Sequence, residues 1–184
     1  MRLEPLGPEH LDAVHTIYAD PRTWQHLPSA RFSRRAQTRR MIAGSVLSRE
    51  LTGLGSWAVR VVLDGTPGPV IGTAGCTVLD ADAWNLGYRF GPDAWGHGYA
   101  SEAATAALDA AHRVRPDLPV TARALTSNPA SLRVLARIGL VERWRGRSDE
   151  AAVADPTGAL GVQRVVVADR ELSDQLLTDL IALG

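Results

Sequence analysis

The run Phe90-Gly91-Pro92-Asp93-Ala94-Trp95-Gly96-His97-Gly98-Tyr99-Ala100-Ser101-Glu102-Ala103 restricts the fold more than any other part of the chain. Upstream of it, β-branched segments alternate with turn residues. Downstream, alanine recurs at 103, 104, 106, 107, 110 and 111. A strand ending near Phe90 therefore turns into a helix starting near Tyr99. Glycine at 96 and 98 permits positive φ, and a small helix face permits close approach to a sheet. The first helical turn leaves backbone N–H groups without partners. With the helix dipole, these favour an anion such as a phosphate or pyrophosphate. Alone, the run fits a tight strand-to-helix connection as well as it fits an anion cradle. Two common cradles are excluded. The chain contains no Lys, hence no Gly-Lys-Ser/Thr phosphate loop. A dinucleotide fingerprint needs a third glycine where Ser101 stands, inside a βαβ unit.

The rest of the chain reads as a succession of short elements. Residues 1–6 alternate and form a strand. Pro8 opens a helix with Leu11, Val14, Ile17 and Tyr18 on one face, stopped by Asp20-Pro21. An irregular stretch, 22–32, carries Trp24 and His26. Ser33 caps a second helix reaching about residue 51, which Gly53 and Gly55 terminate. Strands follow at 57–63, 70–79 and 83–90, the first two separated by Asp64-Gly65 and Pro67-Gly68-Pro69, which predicts an antiparallel meander. After the helix at 99–114 come a strand at 120–125, a helix from Asn128-Pro129 to Gly139, strands at 140–144 and 162–168, and a tail helix at 174–180. Residues 148–161 read as a loop. No repeat, low-complexity tract or long linker divides the chain, so residues 1–184 are expected to form one domain.

Charge and cysteine content narrow the function classes. The 20 basic residues balance 20 acidic ones, and every base is Arg. Zero net charge argues against a general nucleic-acid binder and against a polybasic membrane-surface protein. The arginines are nevertheless clustered. Six fall from Arg31 to Arg49 with no acid among them, and Arg143, Arg145 and Arg147 form a second group, so a local positive field is available. Cys76 is the single cysteine, which removes intrachain disulfides and Cys-rich zinc sites; it reads as a small buried hydrophobe in a reducing cytoplasm. No metal site, signal peptide or membrane-spanning run is expected.

The run WGHGYASEA, preceded by NLGYRF and followed by SNPASLRVLARIGLVER, resembles the GNAT superfamily of acetyl-CoA-dependent N-acetyltransferases. It is most similar to the branch containing the ribosomal-protein N-terminal (Rim-type) acetyltransferases. The resemblance implies an α/β (α+β) fold: a mixed, mostly antiparallel central sheet with a splayed parallel strand pair, flanked by helices. It implies that the pyrophosphate of coenzyme A rests on backbone donors of Trp95, Gly96, His97, Gly98, Tyr99 and Ala100. Pantetheine would lie between residues 86–90 and 120–125, with backbone N–H near Tyr88, Arg89 and Phe90 polarising the thioester carbonyl. Asn128 matches the family asparagine that contacts the cofactor. Arg133, one turn on, either reaches a phosphate or is solvated. Asp93 departs from the family's usual Gln or Arg, which backbone donors do not require.

For chemistry, the resemblance implies direct acetyl transfer from acetyl-CoA to a primary amine, a peptide N-terminus or a small-molecule amine. Ser131 is the candidate general acid, because Leu135 stands where many members have Tyr. Relatives often carry Glu where Asn85 stands, which leaves His26, Asp82 or a water chain as the base; an ordinary imidazole pKa would suit that task. Trp24, His26, Phe32 and Trp84 are candidates for an aromatic acceptor pocket, with Trp24 and Trp84 equally readable as core. Two other classes stay open: a catalytically silent acyl-CoA-binding sensor, and an interaction protein without cofactor. A homodimer could form through an exposed strand or the Trp144 region.

Overall fold

The computed structural model describes residues 1–183, Glu150 by its backbone alone. Asp64 and Gly65 both take positive φ, 50° and 77°, giving the primed two-residue turn whose twist suits a hairpin. That turn joins β2 (Ser56–Leu63) to β3 (Thr66–Leu79). Pro67-Gly68-Pro69 is therefore strand rather than turn, with Val62 opposite Pro67. β1 (Arg2–Pro5) pairs with β2 and β4 (Ala83–Phe90) with β3, both antiparallel, which completes the expected meander.

β5 (Val120–Leu125) joins parallel to β4, but through two registers only, Trp84 with Val120 and Asn85 with Thr121. Beyond them the strands part. β7 (Arg164–Ala168) then inserts between β5 and β6 (Val141–Gly146), antiparallel to both. The seven-stranded order is β1-β2-β3-β4-β5-β7-β6. The fold is the mixed, mostly antiparallel sheet with one splayed parallel pair that the family resemblance implies.

Helices cover both faces: α1 (Leu11–Ala19), α2 (Arg35–Thr52), α3 (Tyr99–Val114), α4 (Pro129–Arg137), α5 (Asp149–Ala154) and α6 (Asp174–Ala182). Ala103, Ala104, Ala107 and Ala111 are fully buried, so α3 lies close to the sheet with methyl groups alone between them. Three local expectations change. The Gln37 side chain, not Ser33, closes the start of α2, accepting from the N–H of Ser33 at 2.9 Å and of Arg34 at 3.0 Å. The expected loop at 148–161 contains α5, capped by Ser148 Oγ on the Ala151 N–H. Trp144 packs with Leu176, Leu177 and Leu180 of α6, so its ring is engaged within its own chain.

The stretch after α1 is ordered by two single helical turns, Pro21–Trp24 and Pro28–Ala30. The Tyr18 carbonyl ties it down, accepting from the Trp24 indole at 2.6 Å and the Phe32 N–H at 3.3 Å. Cys76 is buried and its thiol faces the Ala107 carbonyl at 3.6 Å; burial pushes its pKa well up. Among the described residues, no helix is long and apolar enough to cross a membrane, and no group of three or more His, Cys, Asp or Glu could hold a metal.

Candidate active site

After β4 the chain makes a single turn, Pro92–Ala94, and the Trp95 N–H donates to Pro92 O at 3.1 Å. Gly96 and Gly98 follow at φ of 79° and 80°. A Cβ at either would meet nothing within 4 Å, so the backbone conformation, not crowding, requires glycine there. Gly98 opens α3 with no side-chain cap. The N–H groups of Tyr99, Ala100 and Ser101 are thus left without intrahelical acceptors. They face a cleft of about 650 Å³ whose far wall is α4, with Asn128, Arg133 and Arg137. That size is ordinary for a ligand pocket. No Asp or Glu lines the cleft among the described residues, so its field is positive.

Two expected donors are displaced. The Trp95 backbone donor is occupied by Pro92 O, and its indole N–H bonds Phe90 O at 2.9 Å, while the ring is 47% exposed at the cleft mouth. His97 is outside the lining and stacks on Tyr99, ring centroids 5.4 Å apart. Two residues are added: Ser101, which continues the uncapped turn, and Arg137, one helical turn beyond Arg133 on the same face. The Arg133/Arg137 spacing was visible in the sequence and could have found the second arginine.

The parting of β4 and β5 opens a second cavity of about 560 Å³. Leu86, Gly87, Tyr88 and Arg89 line one side, residues 122–125 another, and Asn85, Thr77, Ser45 and Met41 close it. His26, Tyr88, Arg89, Asn128 and Ser131 line both cavities and so mark where they meet. There Tyr88 Oη lies 3.0 Å from Ser131 Oγ and donates to Ser131 O at 3.1 Å. Burial pushes the Tyr88 phenol up to about 12, against a smaller opposing effect of the Ser131 bond, so it stays protonated at neutral pH. Asn128 Oδ1 accepts the Ser131 N–H at 3.2 Å and fixes the start of α4. Leu135 is 2% exposed and belongs to the main core.

The remaining candidates separate. Trp24 stacks with His26, centroids 6.2 Å apart, and with Phe32, centroids 5.7 Å apart. Trp24 and His26 line the second cavity; Phe32 does not. Trp84 does not join them. It is fully buried in the core, its indole N–H near Arg115 O at 3.4 Å. Asp82 sits exposed in the β3–β4 turn and lines neither cavity. His26 also departs from expectation: burial, then the Arg89 charge, push its pKa down to about 4. It is a neutral imidazole at pH 7 and a weak base. Arg89 itself was expected to act through its backbone. Its side chain lies over Trp24, 3.4 Å from the ring centroid, and bonds Thr23 O.

A sequence profile described as an acetyltransferase (GNAT) domain matches residues 1–141. No curated protein matches the chain in sequence. Among solved structures, an acetyltransferase from Agrobacterium tumefaciens aligns with a TM-score of 0.70 at 22% identity, over 92% of this chain and 90% of its own. The ribosomal-protein-S5-alanine acetyltransferase from Vibrio fischeri aligns at 0.69 and 14% identity, over 95% and 93%. The microcin C7 self-immunity acetyltransferase, solved with acetyl-CoA and AMP, aligns at 0.65 and 11% identity, over 90% and 89%. At such identities the structural likeness speaks to the fold.

Proposed function

Because the chain belongs to the GNAT acetyltransferase family, we propose that it moves the acetyl group of acetyl-CoA directly to a primary amine, on a protein N-terminus or a small molecule. Within the family we place it nearest the ribosomal-protein N-terminal branch, on the strength of Asn128-x-x-Ser131. The observation that carries the reading is the meeting of two cavities at the splayed β4–β5 pair, one of them floored by an uncapped helix start. Uncapped N–H groups from Tyr99 to Ser101, the arginines 133 and 137, and a lining without acids suit a polyanionic cofactor.

When bound, acetyl-CoA supplies an activated thioester. The protein supplies position and protons. Gly96 and Gly98 set the turn so that the first N–H groups of α3 bind phosphate, with Arg133 and Arg137 opposite. Asn128 holds Ser131, and Tyr88 stands behind it, so Ser131 Oγ–H and Tyr88 Oη–H form a proton source where the cavities meet. Direct transfer needs no enzyme nucleophile, which agrees with the buried thiol of Cys76. No described Asp or Glu lines either cavity, so the amine proton leaves to water, with neutral His26 able to accept a hydrogen bond. The reading includes a cytoplasmic enzyme, consistent with one unpaired cysteine, and a homodimer, for which β1 and β6 offer open sheet edges.

One observation favours a silent acyl-CoA sensor instead: Asn85, not a carboxylate, faces the second cavity. A screen of amines and peptide N-termini, read as free thiol released from acetyl-CoA, decides. Turnover with any amine supports the transferase. Calorimetric binding of acetyl-CoA without turnover supports the sensor. No binding rejects both and leaves an interaction protein.

A further inference from the structure

The charge of the second cavity points to its acceptor. A pocket for a polycationic amine needs carboxylates around it to offset the ammonium groups. None lines this one among the described residues. Its walls carry neutral hydroxyls, Ser45, Thr73 and Thr77, and two arginines, Arg89 and Arg123, the second of which donates to Leu183 O at 3.2 Å. The Arg89 guanidinium is stacked rather than paired. One face lies on Trp24 at 3.4 Å, the Tyr18 ring lies 5.3 Å away, and one nitrogen bonds Thr23 O. None of these neighbours is an anion. Burial pulls its pKa down, and only the Tyr18 contact opposes that. Arg89 lines the cavity wall, and one of its five N–H donors is committed to Thr23 O. A half-buried cation kept without an acid is costly unless something anionic completes it.

The anion that completes it belongs to the acceptor side. Arg89 borders both cavities: Thr23, whose carbonyl it bonds, lines the first, whereas the two rings beside its guanidinium, Tyr18 and Trp24, line the second and not the first. The first cleft already has its own cations and backbone donors. We infer that the acceptor is an amine that also carries an anionic group, a carboxylate or a phosphate, and that Arg89 binds this group and determines specificity. Polyamines and other polycationic amines are rejected by like charge. This inference rests on the transferase reading above, and its test separates the two.

The test is a matched series, each a two-carbon amine differing in its far end: β-alanine, O-phosphoethanolamine, ethanolamine and ethylenediamine. An Asp-containing tetrapeptide and its Asn counterpart serve as the protein-like arm. The expected kcat/KM for the anionic members exceeds that of ethanolamine by about tenfold or more, the size of one charge-assisted hydrogen bond, and ethylenediamine falls below both. Whichever of carboxylate and phosphate leads identifies the anion, and the Asp peptide should outpace the Asn peptide. Arg89→Gln should raise KM for the anionic acceptors about tenfold more than it raises KM for ethanolamine, so that the preference collapses. Arg89→Lys should keep part of the preference and controls for folding, as does the wild-type series, which needs no variant. Equal or better use of ethanolamine or ethylenediamine overturns the inference while the transferase stands. So does an Arg89→Gln enzyme that keeps the preference, or one that loses acetyl-CoA binding instead. If no amine is acetylated at all, the proposed function itself fails.

Discussion

Ser131 shows how a single side chain acquires a role. Its spacing from Asn128 marks it in the sequence, because both belong to one helical turn and local hydrogen bonding links them. Its hydroxyl partner Tyr88 lies 43 residues away, on another element, and no local pattern announces that contact. Replacing Ser131 by Ala should lower kcat by about tenfold or more while acetyl-CoA binds as before, as expected of a lost proton donor. Tyr88→Phe should act in the same direction, and stopped-flow thiol release from both variants at wild-type speed would reduce the pair to a structural bond. His26 makes a pH prediction. Its folded pKa, about 4, lies below the unfolded value near 6.5, because burial and the Arg89 charge oppose the imidazolium. Between these values the unfolded chain binds the proton and the folded one does not. Its stability contribution is complete above about pH 6.5 and is lost as pH falls towards 4. Melting temperatures from pH 7 to 4 should therefore drop, and less steeply in His26→Gln.

Elements respond to conformation and to space, and two glycines separate these. Gly98 begins α3 at φ 80°, with no atom within 4 Å of a modest side chain. Gly98→Ala should cost about 1–2 kcal/mol from the left-handed backbone alone, and by shifting the turn it should weaken acetyl-CoA binding in calorimetry. Gly44 lies inside α2 with the same free space but ordinary helical backbone. Gly44→Ala should stabilise by up to about 1 kcal/mol, read as a raised urea midpoint. Identical substitutions with opposite signs would show that backbone angle decides. At this scale most elements were legible, since periodicity and turn residues are local signals. The start of β3 was misread because Pro67 and Pro69 look like turn residues, yet β3 accommodates them opposite the end of β2. The start of α2 differs from expectation because the Gln37 side chain reaches back to the N–H of Ser33 and Arg34, whereas a Ser33 cap would have accepted from N–H groups inside the first turn.

The molecule as a whole is joined at Asp169, where β7 ends. Its carboxylate accepts from Val120 N–H at the start of β5 and meets His112 of α3 at 2.6 Å and Arg170 at 3.1 Å. Burial works to raise its pKa, but the bonds from Arg170, His112 and Val120 outweigh that and hold it below the ordinary carboxylate value. The stability it contributes is present above the unfolded pKa near 4 and is lost as pH falls through the lower folded value. Asp169→Asn should lower unfolding free energy by about 1–3 kcal/mol at pH 7, measured by urea denaturation. A change within error would mean that the three partners are satisfied by water.

What the sequence determined by itself is the set of local decisions: seven strands, the Asp64-Gly65 hairpin, the glycine turn into an alanine helix, and Asn128 before Ser131. Each depends on neighbours within a few residues, where sterics and hydrogen bonding leave few alternatives. Tertiary structure alone decided that β7 lies between β5 and β6, that Trp84 is core while Trp24 faces a cavity, that Tyr88 backs Ser131, and that Arg89 lines the second cavity with no Asp or Glu beside it there. Such facts depend on which distant segments exclude water from one another and on which charges then lie together in a low dielectric. Residue spacing carries no record of either.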